Sequence, residues 1–259
     1  MRPAVYDLCK YPTTYDFAAW AVIARTHGVE RVHFIIDGPI ATWKYGGNAD
    51  IAWKRFATIV LPICNLARLS YSVGARMQGE QYPYHGGDVC RLYREKGRIE
   101  KLKPTMTWDK SGYVTITMRE SFRNTHRNSN KEAWAQFAKY LEAKGQDVMV
   151  IPECEDAPLN VEHRMAWYWG ADMNLGVAQG PMALCVFSDA PYITLNQNPK
   201  DTSGTAQYDI DRLLVKTGFP PGSQYDFRTG RQLLVWEPDS FENIVRAYEG
   251  MQERKAEAA

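Results

Sequence analysis

Apolar residues recur along the chain with two different periods, and their alternation sets the expected fold class. The run "AVYDL" at residues 4–8 reads as a short strand, and "TTYDFAAWAVIARTHG" follows with Phe17, Trp20, Ala21 and Ala24 at helical spacing. Thr13 or Thr14 can cap that helix and Gly28 stops it. "RVHFIID" is the next strand, ending at Asp37 and Gly38. Strand, helix, strand is the unit of parallel sheets, because parallel neighbours need a crossover. Residues 50–70 read as one long helix with Trp53, Phe56, Ala57, Val60 and Cys64 inward and a kink at Pro62. Between Gly74 and Gly112 no period holds. There "QYPYHGGD" predicts a surface loop and "REKGRIEKLK" a solvated face or linker.

The second half is more regular. "YVTITM" is a β-branched strand, and "SNKEAWAQFAKYLEAKG" is a helix with a capping box in Ser129 and Glu132. Its apolar face holds Trp134, Phe137, Ala138 and Leu141, and Gly145 stops it. "DVMVI", "LGVAQ" and "YITLN" predict strands; "VEHRMAWYWGADM", "GPMALCVFS" and "YDIDRLLVKTG" predict helices, as does "DSFENIVRAYEGMQERKAEAA", starting at Asp239 or Ser240. This alternation predicts an α/β fold whose parallel sheets are covered by helices. A division near Pro104 gives units at residues 1–103 and 104–240, with a terminal helix and tail at 241–259.

Composition narrows the classes. A 45% hydrophobic fraction in 259 residues can fill a sizeable core, and a formal charge of +1 argues against wholesale capture of nucleic acid. No run of about 18 apolar residues appears and "MRPAVYDLCKYP" lacks the apolar core of a secretion signal, so a cytoplasmic protein without a membrane span is expected. The five cysteines, Cys9, Cys64, Cys90, Cys154 and Cys185, are odd in number and never form a CxxC pair. Reduced core thiols are the expectation, and no metal site is expected.

In an open parallel sheet, ligands bind beyond the carboxyl ends of the strands. That rule selects Asp7, Asp37, the Arg119–Asn128 turn, "PECEDAP", and the turn from Gln179 to Met182. Arg119, Arg123 and Arg127 precede a helix whose first N–H groups, at Asn128, Ser129 and Asn130, are candidates for holding an anion. The bland alternative is a surface loop whose arginines pair with Glu120 or Glu155. His126 lies in the same turn and can donate to an anion or stand exposed. At "AQGPMAL", Gly180 permits a close approach and Pro181 fixes a first helical turn, which suits either a ligand or a tight connection. Glu155 or Asp156 can accept from a ribose hydroxyl, and Asp156 can equally cap a helix. Asp7 or Asp37 can serve as a general base, though turn formation is the commoner fate. Asp209 and Asp211 have the shape of a carboxylate pair, but one that opens a helix. GxGxxG, GxSxG and Walker A patterns are absent from the sequence.

The stretch "VTITMRESFRNTHRNSNKEAWAQFAKYLEAKGQDVMVIPE", followed by "NLGVAQGPMALCVFSDAPYITL", resembles the nucleotide-binding half of GT-B glycosyltransferases, especially bacterial and phage-borne ones. The likeness covers residues 110–200. It implies two Rossmann-like halves around a cleft, with the first presenting the acceptor and the second the nucleotide sugar. Arg119, Arg123, Arg127 and Asn128 would then meet the diphosphate. Gln179, Gly180, Pro181 and Met182 would lie under it, and Glu155 or Asp156 beside the nucleoside. Asp37 or Asp7 would deprotonate an acceptor hydroxyl, on a glycan or small molecule rather than DNA. The resemblance implies a nucleotide-sugar substrate with no separate cofactor and no metal, and a homo-oligomer is compatible with it. An epimerase or hydrolase on the same fold, or a non-catalytic nucleotide- or glycan-binding module, would present the same motifs.

Overall fold

A computed structural model describes residues 3–121, 125–153, 159–196 and 222–257, with the backbone alone at His126. The predicted helix containing Asp209 and Asp211, and Cys154, lie outside the described residues.

Strands β1 (Ala4–Asp7), β2 (Arg31–Ile35) and β3 (Ser70–Gly74) form a parallel sheet in that order. Helix α1 (Phe17–Thr26) makes the first crossover, and Phe17, Trp20, Ala21 and Ala24 are buried as their spacing requires. The outer edge of β1 is covered: the Val5 N–H donates to the Glu80 carbonyl at 2.8 Å and the Glu80 N–H to the Pro3 carbonyl at 3.0 Å.

The expected helix over 50–70 is a composite. It comprises α2 (Ala49–Arg55), a π-helical turn (Phe56–Val60) and α3 (Leu61–Leu66). Pro62 sits at the start of α3, where a missing N–H costs least, and the widened turn lies just before it. Trp53, expected inward, is 41% exposed. Two elements are additional to the expected ones. β3 directly follows the expected helix and is short, with Tyr71 and Val73 exposed, and α4 (Gly86–Lys96) starts inside the predicted loop. Its cap is His85, outside the usual Ser, Thr, Asp and Asn set, and the His85 N–H donates to the Asp88 carboxylate at 3.3 Å.

The second sheet contains β4 (Tyr113–Arg119), β5 (Asp147–Glu153), β6 (Met173–Val177), β7 (Tyr192–Leu195) and β8 (Gln232–Leu234). All pairings are parallel and the order is β5-β4-β6-β7-β8. Helices α5 (Lys131–Ala143), α6 (Val161–Gly170), the short α7 (Ala183–Val186) and α8 (Phe241–Glu257) flank it. The expected α/β arrangement of two parallel sheets is the one found. α5 is capped by Asn130, whose side chain accepts from the Ala133 N–H at 3.3 Å, and not by Ser129. The Ser129 hydroxyl is used instead at the end of β4, accepting from the Arg119 N–H at 2.8 Å.

One apolar cluster runs through both halves. It joins Tyr6, Trp20, Phe34 and Ile63 of the first to Ile151, Met165, Leu184 and Tyr192 of the second. Cys64, Cys90 and Cys185 are buried thiols, and Cys9 is half-buried.

Candidate functional site

The strand order fixes where a ligand can sit. From β4 the chain moves outward to β5, then crosses back to β6 on the other side of β4, so the connections diverge between the carboxyl ends of β4 and β6. Divergence of this kind opens a crevice at the sheet edge. Arg119 ends β4, and Ala178 and Gln179 follow β6. Two side chains bridge the gap: Gln179 Nε2 donates to the Thr117 carbonyl at 2.7 Å, and Arg127 Nη2 to the Ala178 carbonyl at 3.0 Å.

The first half closes over this crevice and leaves a cleft of about 460 Å³. Arg119, Arg127, Gln179, Gly180 and Met182 line it from one side; Tyr15, Asp16, Lys44 and Arg55 line it from the other. Four cations and one carboxylate thus line the cleft, with Arg119 and Arg127 across from Asp16 and Lys44 and Arg55 beside it. Sequence reasoning found Arg119 and Arg127 because a strand end and a helix start bracket them. It missed Lys44 and Arg55, which lie at the end of an irregular loop and on a helix, and only tertiary packing turns them toward the arginines.

Asp16 is the carboxylate. It stands directly before α1, where aspartate usually caps, yet its side chain makes no cap hydrogen bond. Oδ2 instead accepts from the Thr14 hydroxyl at 2.9 Å and from Lys44 Nζ at 2.7 Å. Lys44 belongs to a single 3-10 turn, Trp43–Tyr45, followed by Gly46 and Gly47, both at positive φ. Arg55 donates to the Thr13 carbonyl at 3.4 Å and lies over the Tyr45 ring.

Beneath the cleft is a buried polar network. Arg164 of α6, fully buried, donates to Glu153 Oε2 at 2.5 Å and to the Tyr168 hydroxyl at 3.0 Å. The Tyr168 and Thr117 hydroxyls share a hydrogen bond of 2.8 Å. Burial raises the Glu153 carboxyl above its ordinary range, and the adjacent Arg164 guanidinium opposes that shift. Burial also pushes the Tyr168 hydroxyl up to about 12. Tyr15 reaches toward this network from the first half, its hydroxyl shifted upward mainly by burial and then by the Glu153 charge. Its ring occupies the space above Gly180: a Cβ there would lie 2.6 Å from Tyr15 Cδ2. The close approach that Gly180 permits is therefore that of a side chain from the other half.

Other expected residues are placed differently. Asp7 and Asp37 come together at the end of the first sheet, where Arg76 Nη2 lies 3.4 Å from Asp7 and Arg76 Nε 3.3 Å from Asp37. Neither lines the cleft. The backbone N–H groups expected to hold an anion are engaged internally, which corrects that expectation. Asn128 donates to Thr125, Ser129 to Arg119, and Asn130 to Asp239 at 2.8 Å. The Asn128 amide closes the same turn against Ser121 at 2.8 Å and 2.9 Å. Pro181 is buried in the 3-10 turn Gly180–Met182 that precedes α7. Arg123, Glu155 and Asp156 lie outside the described residues, as does the His126 side chain. Among the described residues no group of three His, Cys, Asp or Glu side chains could hold a metal ion, and no helix is long and apolar enough to cross a membrane.

No protein-family model matches the chain, and no characterised protein matches it by sequence. Among solved structures it is similar to the iron-containing dodecameric glycosyltransferase TibC from enterotoxigenic E. coli H10407, at 13% identity and a TM-score of 0.44. The alignment covers 77% of this chain and 60% of that one. TibC in complex with ADP-D-beta-D-heptose gives 13% identity and 0.45, over 75% of this chain and 58% of that one. The E. coli heptosyltransferase WaaC with ADP-2-deoxy-2-fluoro heptose gives 11% and 0.39, over 90% and 70%. The chain thus spans about 60% of the length of TibC. At that distance the chemistry has to be read from this chain's own cleft.

Proposed function

We propose that this protein is a glycosyltransferase that holds the diphosphate of a nucleotide sugar in the cleft and transfers the sugar to an acceptor hydroxyl. The observation that carries this reading is the convergence of Lys44, Arg55, Arg119 and Arg127 on one cleft at the divergence of β4 and β6. A diphosphate gains negative charge as its bond to the sugar breaks, and fixed cations in a partly dry site lower the energy of that state. The arginines supply forked donors suited to phosphate oxygens, and the lysine supplies a mobile point charge.

We assign the base to Asp16 rather than to Asp7 or Asp37, because among the described residues it is the carboxylate that lines the cleft. The acceptor O–H proton passes to Asp16, the acceptor oxygen bonds to the anomeric carbon, and the bond from that carbon to the diphosphate breaks. The nucleoside diphosphate leaves with the electron pair. No metal is required by this scheme, since the four cations balance the leaving group.

The test is thermal denaturation of wild type and Arg119→Ala with UDP, GDP, ADP, CMP and dTDP, because a ligand of the native state raises its apparent stability. An increase with one nucleoside diphosphate, lost in the variant, is expected. No increase with any of them would remove the donor site. Binding without turnover over a broad acceptor panel would make the protein a binding module, and donor consumption without acceptor would make it a hydrolase or epimerase.

A further inference from the structure

The pair formed by Lys44 and Asp16 joins two residues to which the preceding reading gives different partners. With the cleft as described, Lys44 Nζ lies 2.7 Å from Asp16 Oδ2. The Thr14 hydroxyl donates to the same oxygen. Lys44 therefore already has an anionic partner inside the cleft that a diphosphate would enter.

We propose, on the basis of the donor site argued above, that Lys44 is a positioning residue that exchanges partners: it holds Asp16 in the arrangement described and passes to the donor diphosphate when that binds. Three features support the exchange. Lys44 and Asp16 line the same cleft as Arg119 and Arg127, so an incoming diphosphate places a larger negative charge within the lysine's surroundings. The side chains of Lys44 and Asp16 are 35% and 47% exposed, so the pair is partly solvated and breaking it is cheap. Lys44 sits on one 3-10 turn ahead of two glycines at positive φ, on a flexible four-carbon stem. Asp16 has no competing duty as a helix cap. The consequence is that Asp16 and the donor diphosphate compete for one ammonium.

A double-mutant cycle read by calorimetric titration with inorganic pyrophosphate tests this without turnover or knowledge of the base. Both positions are partly exposed, so the variants are expected to fold. If Lys44 leaves Asp16 for the phosphate, Asp16→Asn removes a competitor and tightens pyrophosphate binding by roughly tenfold more when Lys44 is present than in the Lys44→Met background. Lys44→Arg should restore that non-additivity in part, and nucleoside without phosphate should show none of it. Equal effects of Asp16→Asn in the two backgrounds would overturn the exchange while leaving the donor site intact. If neither pyrophosphate nor any nucleoside diphosphate binds wild type, the donor site itself fails and the exchange with it.

Discussion

At the scale of single residues, the cleft divides into positions that local sequence reveals and positions it cannot. Arg119 and Arg127 stand out because a β-branched strand ends at one and a helix begins soon after the other. Asp16 goes unnoticed locally, where Thr13 or Thr14 reads as the cap, and its partner Lys44 becomes visible only when the loop carrying it folds back. Asp7 and Asp37 end the two clearest strands of the first half, but Arg76, 39 residues beyond Asp37, ties them together. Gly180 gives the sharpest prediction at this scale. A methyl group at this position would meet the ring of Tyr15, which is almost completely buried. Gly180→Ala should lower stability by about 1–3 kcal/mol through overpacking, read from the urea midpoint. The same substitution should cost little in a Tyr15→Ala background, where the ring is gone.

Among elements, the regular ones were legible and the short or exposed ones were not. β4, α1 and α5 follow their apolar periods. β8 has three residues, too few to show a period, and the "LGVAQ" strand begins earlier, at Met173. The contact between α5 and α8 adds two polar devices to its apolar packing. Asp239, buried just ahead of α8, accepts from the Asn130 N–H and from Trp134 Nε1, both at 2.8 Å. Asp239→Ala would leave two donors unpaired, at a cost of about 1–3 kcal/mol each, and should shift the urea midpoint without changing the slope. The second device is Glu249 of α8, which accepts from Lys144 at 2.7 Å and from the Tyr140 hydroxyl at 2.6 Å. These bonds hold its carboxyl below the ordinary value of 4.5. Its stabilising contribution is therefore complete above that value and lost as pH falls through the lower folded value. The stability gap between wild type and Glu249→Gln should be constant near neutral pH and close as the solution is acidified below 4.5, measured by urea unfolding across that range.

For the whole molecule, one apolar cluster joins residues on both sides of Pro104, beside a second that lies wholly beyond it. Ion pairs also cross it, with Arg94 2.6 Å from Asp226 and Lys101 2.8 Å from Asp189, so part of the charged stretch read as solvated joins the halves. Halves packed through a large apolar contact move and unfold together. Calorimetry should therefore show one transition whose van't Hoff and calorimetric enthalpies agree; two resolved transitions would mean the shared core contributes little cohesion. Sequence periodicity could not reveal this, because it reports which face of an element is apolar and not which partner covers it.

The seat of Tyr15 on Gly180 has a consequence for how such a chain can change over time. The two positions lie 165 residues apart and in different sheets' loops, yet the volume available to one is set by the other. A larger residue at 180 becomes tolerable only after 15 has shrunk, so the order in which the two substitutions occur decides whether a lineage passes through a poorly folded intermediate. The space left at position 180 is thus set by the aromatic ring at 15.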